Sequence, residues 1–313
     1  MLGAPLQQSV AAGEIGPPLW GRTDLQWHAS AAKELENVIA TPHGPLKGRG
    51  GARYIAEVDD SADLHRLIPF RFSVDDAYML MFGDQTIRFG RNKGIIESGG
   101  TPVTLASGDG VVWPASALAS IRYTQSFDVL YLFCTGYAPK KLSRSSHTSW
   151  SIAAFTFVDG PYYPENTDET KTLTLSAGTG SVTVTATGHS PFASTSVGRH
   201  IRIHDVYTPN SVDNWLWVKI TGYTSSTVVT GTIYKAGSTN SGTFVLGTSP
   251  FYGWRLGLYS DQTAWPSGVA SYQGRLAIFG TPPNSLPRVD LSVSGDFENF
   301  APTAEVYTTG ARS

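Results

Sequence analysis

The residues able to do chemistry fall into four groups. His200 and His204 are four apart, the spacing two zinc ligands use on a helix. Arg199-His200-Ile201-Arg202-Ile203-His204, however, alternates polar and apolar, which is strand periodicity. On a strand those two histidines stand ~13 Å apart and cannot share one ion. Asp59, Asp60 and Asp63, with Asp75 and Asp76, could supply the carboxylate pair of a glycoside hydrolase. Both groups lie beside turns, where Asp serves the backbone. Lys47, Arg49 and Arg53 lie among glycines that leave N–H groups open, a pattern suited to phosphate or to an acidic neighbouring subunit, or simply to water. Trp215 and Trp217 share one face of a strand with Tyr223 beyond, which fits a core or a platform for sugar stacking.

Nucleophile elbows, phosphate loops, dinucleotide fingerprints and H-E-x-x-H helices do not occur. The expectation is a protein that is not an enzyme, with no cofactor and no metal. The single cysteine, Cys134, excludes an intrachain disulfide framework, and its apolar setting (Val129 to Phe133) reads as burial.

These residues need a β scaffold. Charged residues make up 15% of the 313, against roughly 25% in an average domain. Together with 33 glycines, 19 prolines and 12% aromatics, this favours β structure whose surface is committed to other subunits. A net charge of −2 builds in no general attraction to nucleic acid. The opening residues lack a signal-peptide pattern, and no apolar run approaches the ~20 residues of a membrane span, so no membrane insertion is expected.

Along the chain, a Pro/Gly-punctuated leader over 1–27 precedes a short helix expected over Ser30 to Ala40, and a strand is expected at Tyr54 to Val58. Antiparallel strands follow at Leu67 to Ser73, Ala77 to Phe82 and Thr86 to Phe89. A short helix is expected near Ser116 to Ala119, and apolar strands at Phe127 to Cys134 and Trp150 to Val158. From Glu165 to Pro250 the chain turns Thr/Ser/Gly-rich. Short strands are expected there at Thr172 to Leu175, Val182 to Ala186, His200 to His204, Trp215 to Ile220 and Val228 to Ile233. The expected fold is mainly β. A platform-like part (1–164, with the helix at 30–40) carries an inserted small β-sandwich or barrel (165–250), and a return segment (251–313) begins a propeller-like region. In the last part Arg275 to Phe279 and Val289 to Val293 read as strands, Gly280-Thr281-Pro282-Pro283 as a stop, and Phe297 and Phe300 as an aromatic closure.

The wording of these segments resembles the tail nozzle proteins of short-tailed bacteriophages, also called tail tubular protein B or DNA-stabilisation protein. The resemblance rests on Gly274-Arg275-Leu276 … Ser292-Val293-Ser294-Gly295-Asp296-Phe297-Glu298-Asn299-Phe300 and on four further passages in matching order. They are Gly13-Glu14-Ile15 … Gly21-Arg22-Thr23-Asp24-Leu25, Asn37 … Pro42-His43-Gly44, Arg66-Leu67-Ile68-Pro69-Phe70-Arg71-Phe72, and Tyr123-Thr124-Gln125-Ser126-Phe127-Asp128-Val129-Leu130-Tyr131-Leu132. Gly16-Pro17 replaces the family's Ser-Pro, and Lys47-Gly48-Arg49-Gly50-Gly51 replaces its R-R-P-G-T. Family members usually run further than Ser313, through a complete propeller. The resemblance implies a structural virion protein made in the host cytoplasm. It would be a hexameric ring in the tail, contacting adaptor and portal proteins and tail fibres, through which DNA passes without sequence-specific binding. The alternative from the residues alone is a host-surface glycan-binding tail protein, a non-catalytic adhesin using Trp215, Trp217 and Tyr223.

Overall fold

A computed structural model describes residues 7, 9–204, 215–234, 250–280 and 288–301. The chain is mainly β, in several sheets. Its contacts divide it into two compact units, Met1–Ile55 and Ala56–Ser313.

In the first unit Gly13–Glu14 pairs in parallel with Ala31–Ala32, and Val38–Ala40 forms a hairpin with Leu46–Gly48. The short helix near the N-terminus is a 3-10 turn at Gln26–Ser30. It ends where the helix over Ser30 to Ala40 was expected to begin, so that expectation is corrected. Leu35, Val38 and Ile39 do have helical spacing, but two other interactions prevail. Glu14 accepts the Leu35 N–H at 3.1 Å, beside the pairing of Ala31–Ala32. Asn37 adopts φ 56, a left-handed conformation that a helix cannot contain.

Among the described residues the second unit has three hydrophobic cores. The first lies between two antiparallel sheets. One sheet runs Thr104–Leu105, Thr86–Arg91, Ala77–Gly83, Arg66–Arg71, and the other Arg122–Ser126, Val129–Cys134, Tyr137–Arg144, Trp150–Ala154. Alternation decides which side chains point in. Ile68, Phe70, Tyr78, Leu80, Phe82, Ile87 and Phe89 meet Leu130, Leu132, Leu142 and Trp150. Trp150 stacks on Phe89 at 4.4 Å and meets Phe70 and Tyr78 edge-on at 5.0 and 5.2 Å. Arg71, at the open edge of the first sheet, is paired by the side chain of Gln125 on the edge of the second. Its N–H donates to Gln125 Oε1 at 3.0 Å, and Gln125 Nε2 donates to Arg71 O at 2.7 Å. One carboxamide thus copies a ladder rung where two sheets abut. Arg66 donates to the carbonyls of Leu118 and Ile121 around the 3-10 helix Ala115–Ser120.

Val129–Cys134 is apolar throughout because both its faces are covered. Leu130, Leu132 and Cys134 enter the first core, while Phe133 enters another, with Tyr131 packed against it. That other core also holds Phe155, Leu258, Tyr259, Val269, Leu276, Ile278 and Phe300. It is roofed by the three-stranded sheet Gly268–Tyr272, Arg275–Phe279, Val289–Leu291. The aromatic closure after the turn is tied back to residues 156–160. Glu298 accepts the Thr156 N–H at 3.0 Å and pairs with Lys141 at 2.8 Å, and the Phe300 N–H donates to Asp159 O at 2.8 Å. Gly160, at φ +56, has no room for a side chain, since a Cβ would meet Phe300 O at 2.5 Å.

The remaining core belongs to a six-stranded sheet curled into a half-barrel. Its order is Thr172–Leu175, Ser181–Thr187, Val228–Tyr234, Trp215–Ser225, His200–His204, Gly253–Leu256. Leu173, Val182, Val184, Ile201, Ile203, Leu216, Val218, Ile220, Val229 and Ile233 fill it from alternate positions. All five strands expected between 165 and 250 are present, and a sixth, Gly253–Leu256, joins from beyond residue 250.

Three further expectations are corrected. Tyr54 to Val58 forms no strand; Tyr54 and Ile55 are exposed and make no ladder. Phe127 is not in the strand that follows but at the tip of a hairpin, at φ 48, and the strand starts at Val129. Trp150–Ala154 ends four residues short of Val158. Thr281-Pro282-Pro283 lies outside the described residues.

Candidate functional site

The face of the six-stranded sheet opposite its core carries a lattice of rings and charges. Ladder register places Arg202 between Trp217 and Arg255, and His204 beside Trp215. The Arg202 guanidinium sits 3.9 Å from the Trp215 ring centre and 5.3 Å from that of Trp217, and Arg255 lies 5.3 Å from Trp215. The His204 ring stacks on Trp215 at 4.5 Å. Glu165 closes the array, accepting from Arg255 at 3.3 Å and lying 3.9 Å from His204 Nδ1. Cation–ring contacts of this kind contribute roughly 0.5–2 kcal/mol each, more as water is excluded. Arg202 is only 2% exposed.

Trp215 and Trp217 therefore lie on one face, as expected, half-buried and already engaged by cations. Tyr223 is not with them. Irregular pairing between Ile220 and Gly222 shifts the phase of the strand, and Tyr223 stands opposite Val229, on the side that faces the core. It is exposed there, near the end of the hairpin. Arg202, Arg255 and Glu165 were not legible as members of this array. Alternation placed Arg202 and His204 on one face, but Arg255 arrives through a pairing about fifty residues distant in sequence.

The basic group lies in the first unit. Lys47 is in the Leu46–Gly48 strand, the Arg49 N–H donates to Asn37 O at 2.9 Å, and Arg53 follows in irregular chain. All three are exposed, and a Cβ built on Gly48, Gly50 or Gly51 would touch nothing within 4 Å. The backbone there is open, but the three cations do not enclose a pocket.

Of the carboxylate candidates, Asp59, Asp60 and Asp76 are engaged separately. Asp59 pairs with Arg88 and Asp76 with Arg91. The Arg91 hydrogen bond holds the Asp76 carboxyl below its usual range. Asp60 accepts the Ala62 N–H at 2.9 Å, a turn contact. His200 and His204 occupy one strand, and His200 is buried, its pKa lowered to about 4 by loss of solvent and then by Lys219. Cys134 is buried, and desolvation pushes its thiol pKa up.

The second unit presents several apolar side chains outward. On the outer side of the first two-sheet core, Leu67 lies opposite Met81 and Pro69 opposite Met79, and Leu67 is 58% exposed. On the three-stranded sheet, Phe279 opposite Val289 and Ala277 opposite Leu291 form a second such row, with Phe279, Val289 and Leu291 exposed. Solvent faces of antiparallel sheets normally alternate to polar residues. Phe127, 93% exposed, projects at the hairpin tip in a conformation costly for a bulky residue. Comparison with models of known families and with curated proteins gave no match.

Proposed function

We propose that this chain is a structural, non-enzymatic subunit of a bacteriophage tail nozzle. It acts in the virion tail as one member of a closed, hexameric ring that continues the DNA-ejection channel and retains packaged DNA. The observation that carries the reading is the pair of outward apolar rows, Leu67/Met81 with Pro69/Met79 and Phe279/Val289 with Leu291. Contiguous exposed apolar surface marks sites of protein association. The sequence passages that resemble nozzle proteins coincide with these features. The Arg66 to Phe72 passage supplies Leu67 and Pro69 of the first row, the Tyr123 to Leu132 passage carries the Gln125 clamp and Phe127, and the Gly274 to Phe300 passage supplies two strands of the three-stranded sheet, Arg275–Phe279 and Val289–Leu291.

Adaptor and portal proteins above the ring and fibres at its side are the partners this reading supplies. DNA would pass without sequence-specific contact, in keeping with a net charge of −2. Among the described residues no helix is long and apolar enough to cross a membrane. The adhesin alternative is less well supported, because Trp215 is packed against Arg202 and His204 and Tyr223 lies on the other face.

The test is the double variant Leu67→Glu, Met79→Glu. Both side chains point outward, so the fold and its thermal midpoint should hold to within a few degrees, while incorporation into tails falls at least tenfold. Full incorporation of the folded variant would remove the assigned interface.

A further inference from the structure

Where the back of the half-barrel meets the core under the three-stranded sheet, a half-open cleft of about 210 Å3 enters the second unit. One water needs roughly 10–15 Å3 of such space, so the cleft admits a ligand the size of a side chain. One wall is aromatic: Phe157 stacks on Trp265 at 6.5 Å with planes 9° apart, and on Tyr259 at 5.7 Å. Asp261 accepts the Trp265 Nε1–H at 2.7 Å and fixes that ring. The other wall is the strand His200–His204 with its neighbour, contributing Arg199, His200 and Lys219.

Arg199 is the unusual member. It is 5% exposed, yet among the described residues no carboxylate pairs with it. A guanidinium carries five N–H donors. Here Nε and Nη2 both donate to one acceptor, the carbonyl of Gly257, and Nη1 makes no hydrogen bond to the described residues. Its backbone is hydrogen-bonded on both sides. The Arg199 N–H donates to Ser196 O at 3.0 Å, and Arg199 O accepts from Ile220 at 2.9 Å. Gly257 can lie this close because it has no Cβ, which would meet His200 N at 3.2 Å. Burial lowers the Arg199 pKa to about 10, so the group is charged at neutral pH, without a counter-ion. A second cation, Lys219, lies across the ladder from His200 on the same wall. Tyr259 lines the cleft too, and its buried hydroxyl has no hydrogen-bond partner. A buried cation without an anion is costly, and a guanidinium forms strong charge-assisted hydrogen bonds with a carboxylate.

We infer that this cleft is a binding site for a carboxylate carried on a flat or apolar body, with Arg199 and Lys219 taking the carboxylate and Phe157, Trp265 and Tyr259 holding the body. One negative charge suits the site better than a phosphate dianion, since Asp261 also lines the cleft. The carboxylate has two sources of the same chemistry, a small aromatic acid or the C-terminal residue of a partner chain. This inference is independent of the nozzle reading.

The experiment is calorimetric titration of the full chain with sodium benzoate, acetate and inorganic phosphate at constant ionic strength. Benzoate should bind saturably, at least tenfold tighter than acetate, and phosphate should not displace it. Arg199→Gln should weaken benzoate at least tenfold. Trp265→Ala should reduce benzoate binding toward that of acetate. If Arg199→Gln does not fold, Lys219→Met, which leaves the Gly257 contact intact, should weaken benzoate several-fold. Competition by a short peptide ending in a free phenylalanine carboxylate, lost in its amide, would assign the source to a partner chain. Benzoate binding without such competition would assign it to a small acid. No saturable benzoate binding, displacement by phosphate, or unchanged affinity in both cation variants would overturn the site.

Discussion

Replacing Gln125 separates a side chain that merely fills space from one that stands in for a strand. Its carboxamide accepts from Arg71 N–H at 3.0 Å and donates to Arg71 O at 2.7 Å and to Phe127 O at 2.8 Å. Net contributions of 0.5–1.5 kcal/mol per bond, reduced because these groups can rehydrate, make Gln125→Ala cost about 2 kcal/mol. Gln125→Glu is nearly isosteric and keeps the acceptor, but it sets a carboxylate against two carbonyl oxygens. The charged group without donors should raise the cost to about 3–4 kcal/mol at pH 7. The sign with pH follows. That carboxyl has its folded-state pKa raised, so the folded state binds the proton more readily than the unfolded chain. The glutamate variant therefore regains stability as pH falls through the raised value, where the protonated acid donates one bond again. Urea unfolding at pH 7 and pH 4.5, followed by tryptophan fluorescence, measures both effects. Alanine and glutamate variants of equal stability at pH 7, or a glutamate variant that loses further stability relative to the parent on acidification, would refute the clamp.

Other perturbations have equally definite outcomes. His200 is held neutral with a folded pKa of about 4 against an ordinary 6.5. The unfolded chain thus binds more protons between those values. The stability it contributes is present above pH 6.5 and is lost as pH falls to 4, by up to ~3 kcal/mol at 1.36 kcal/mol per unit. His200→Gln should flatten that part of the stability–pH curve; an unchanged curve would contradict the assigned burial. Phe127→Asn, at φ 48, should stabilise the isolated chain by about 1 kcal/mol, because Asn tolerates the left-handed region, while weakening assembly. A variant that is destabilised instead, or that assembles as well as the parent, would remove the contact role given to Phe127.

Much of the scaffold could be read from residue order. The half-barrel strands announce themselves because Thr and Ser alternate with Val, Ile and Leu, and a curled sheet with one dry side requires that pattern. Val129–Cys134 was legible as a strand from its unbroken apolar run, and the two cores it separates explain the run. The failures have local physical causes. Leu35, Val38 and Ile39 mimic a helical stripe, but Asn37 at positive φ and the distant Glu14 decide the outcome. Trp217 and Tyr223 seemed to share a face until one irregular step in pairing reversed the second. Arg199 carried no signal at all. Its isolation from carboxylates depends on which chains close around it, and sequence spacing does not contain that information.

The proposed role is that of a chain that closes into a ring on a phage tail. Electron microscopy of the purified chain mixed with the adaptor and portal proteins proposed as its partners tests that directly. Closed rings with a channel wide enough for duplex DNA are expected, with the Leu67–Met79 face at the subunit contact. Chains that stay monomeric in the presence of those components would contradict it.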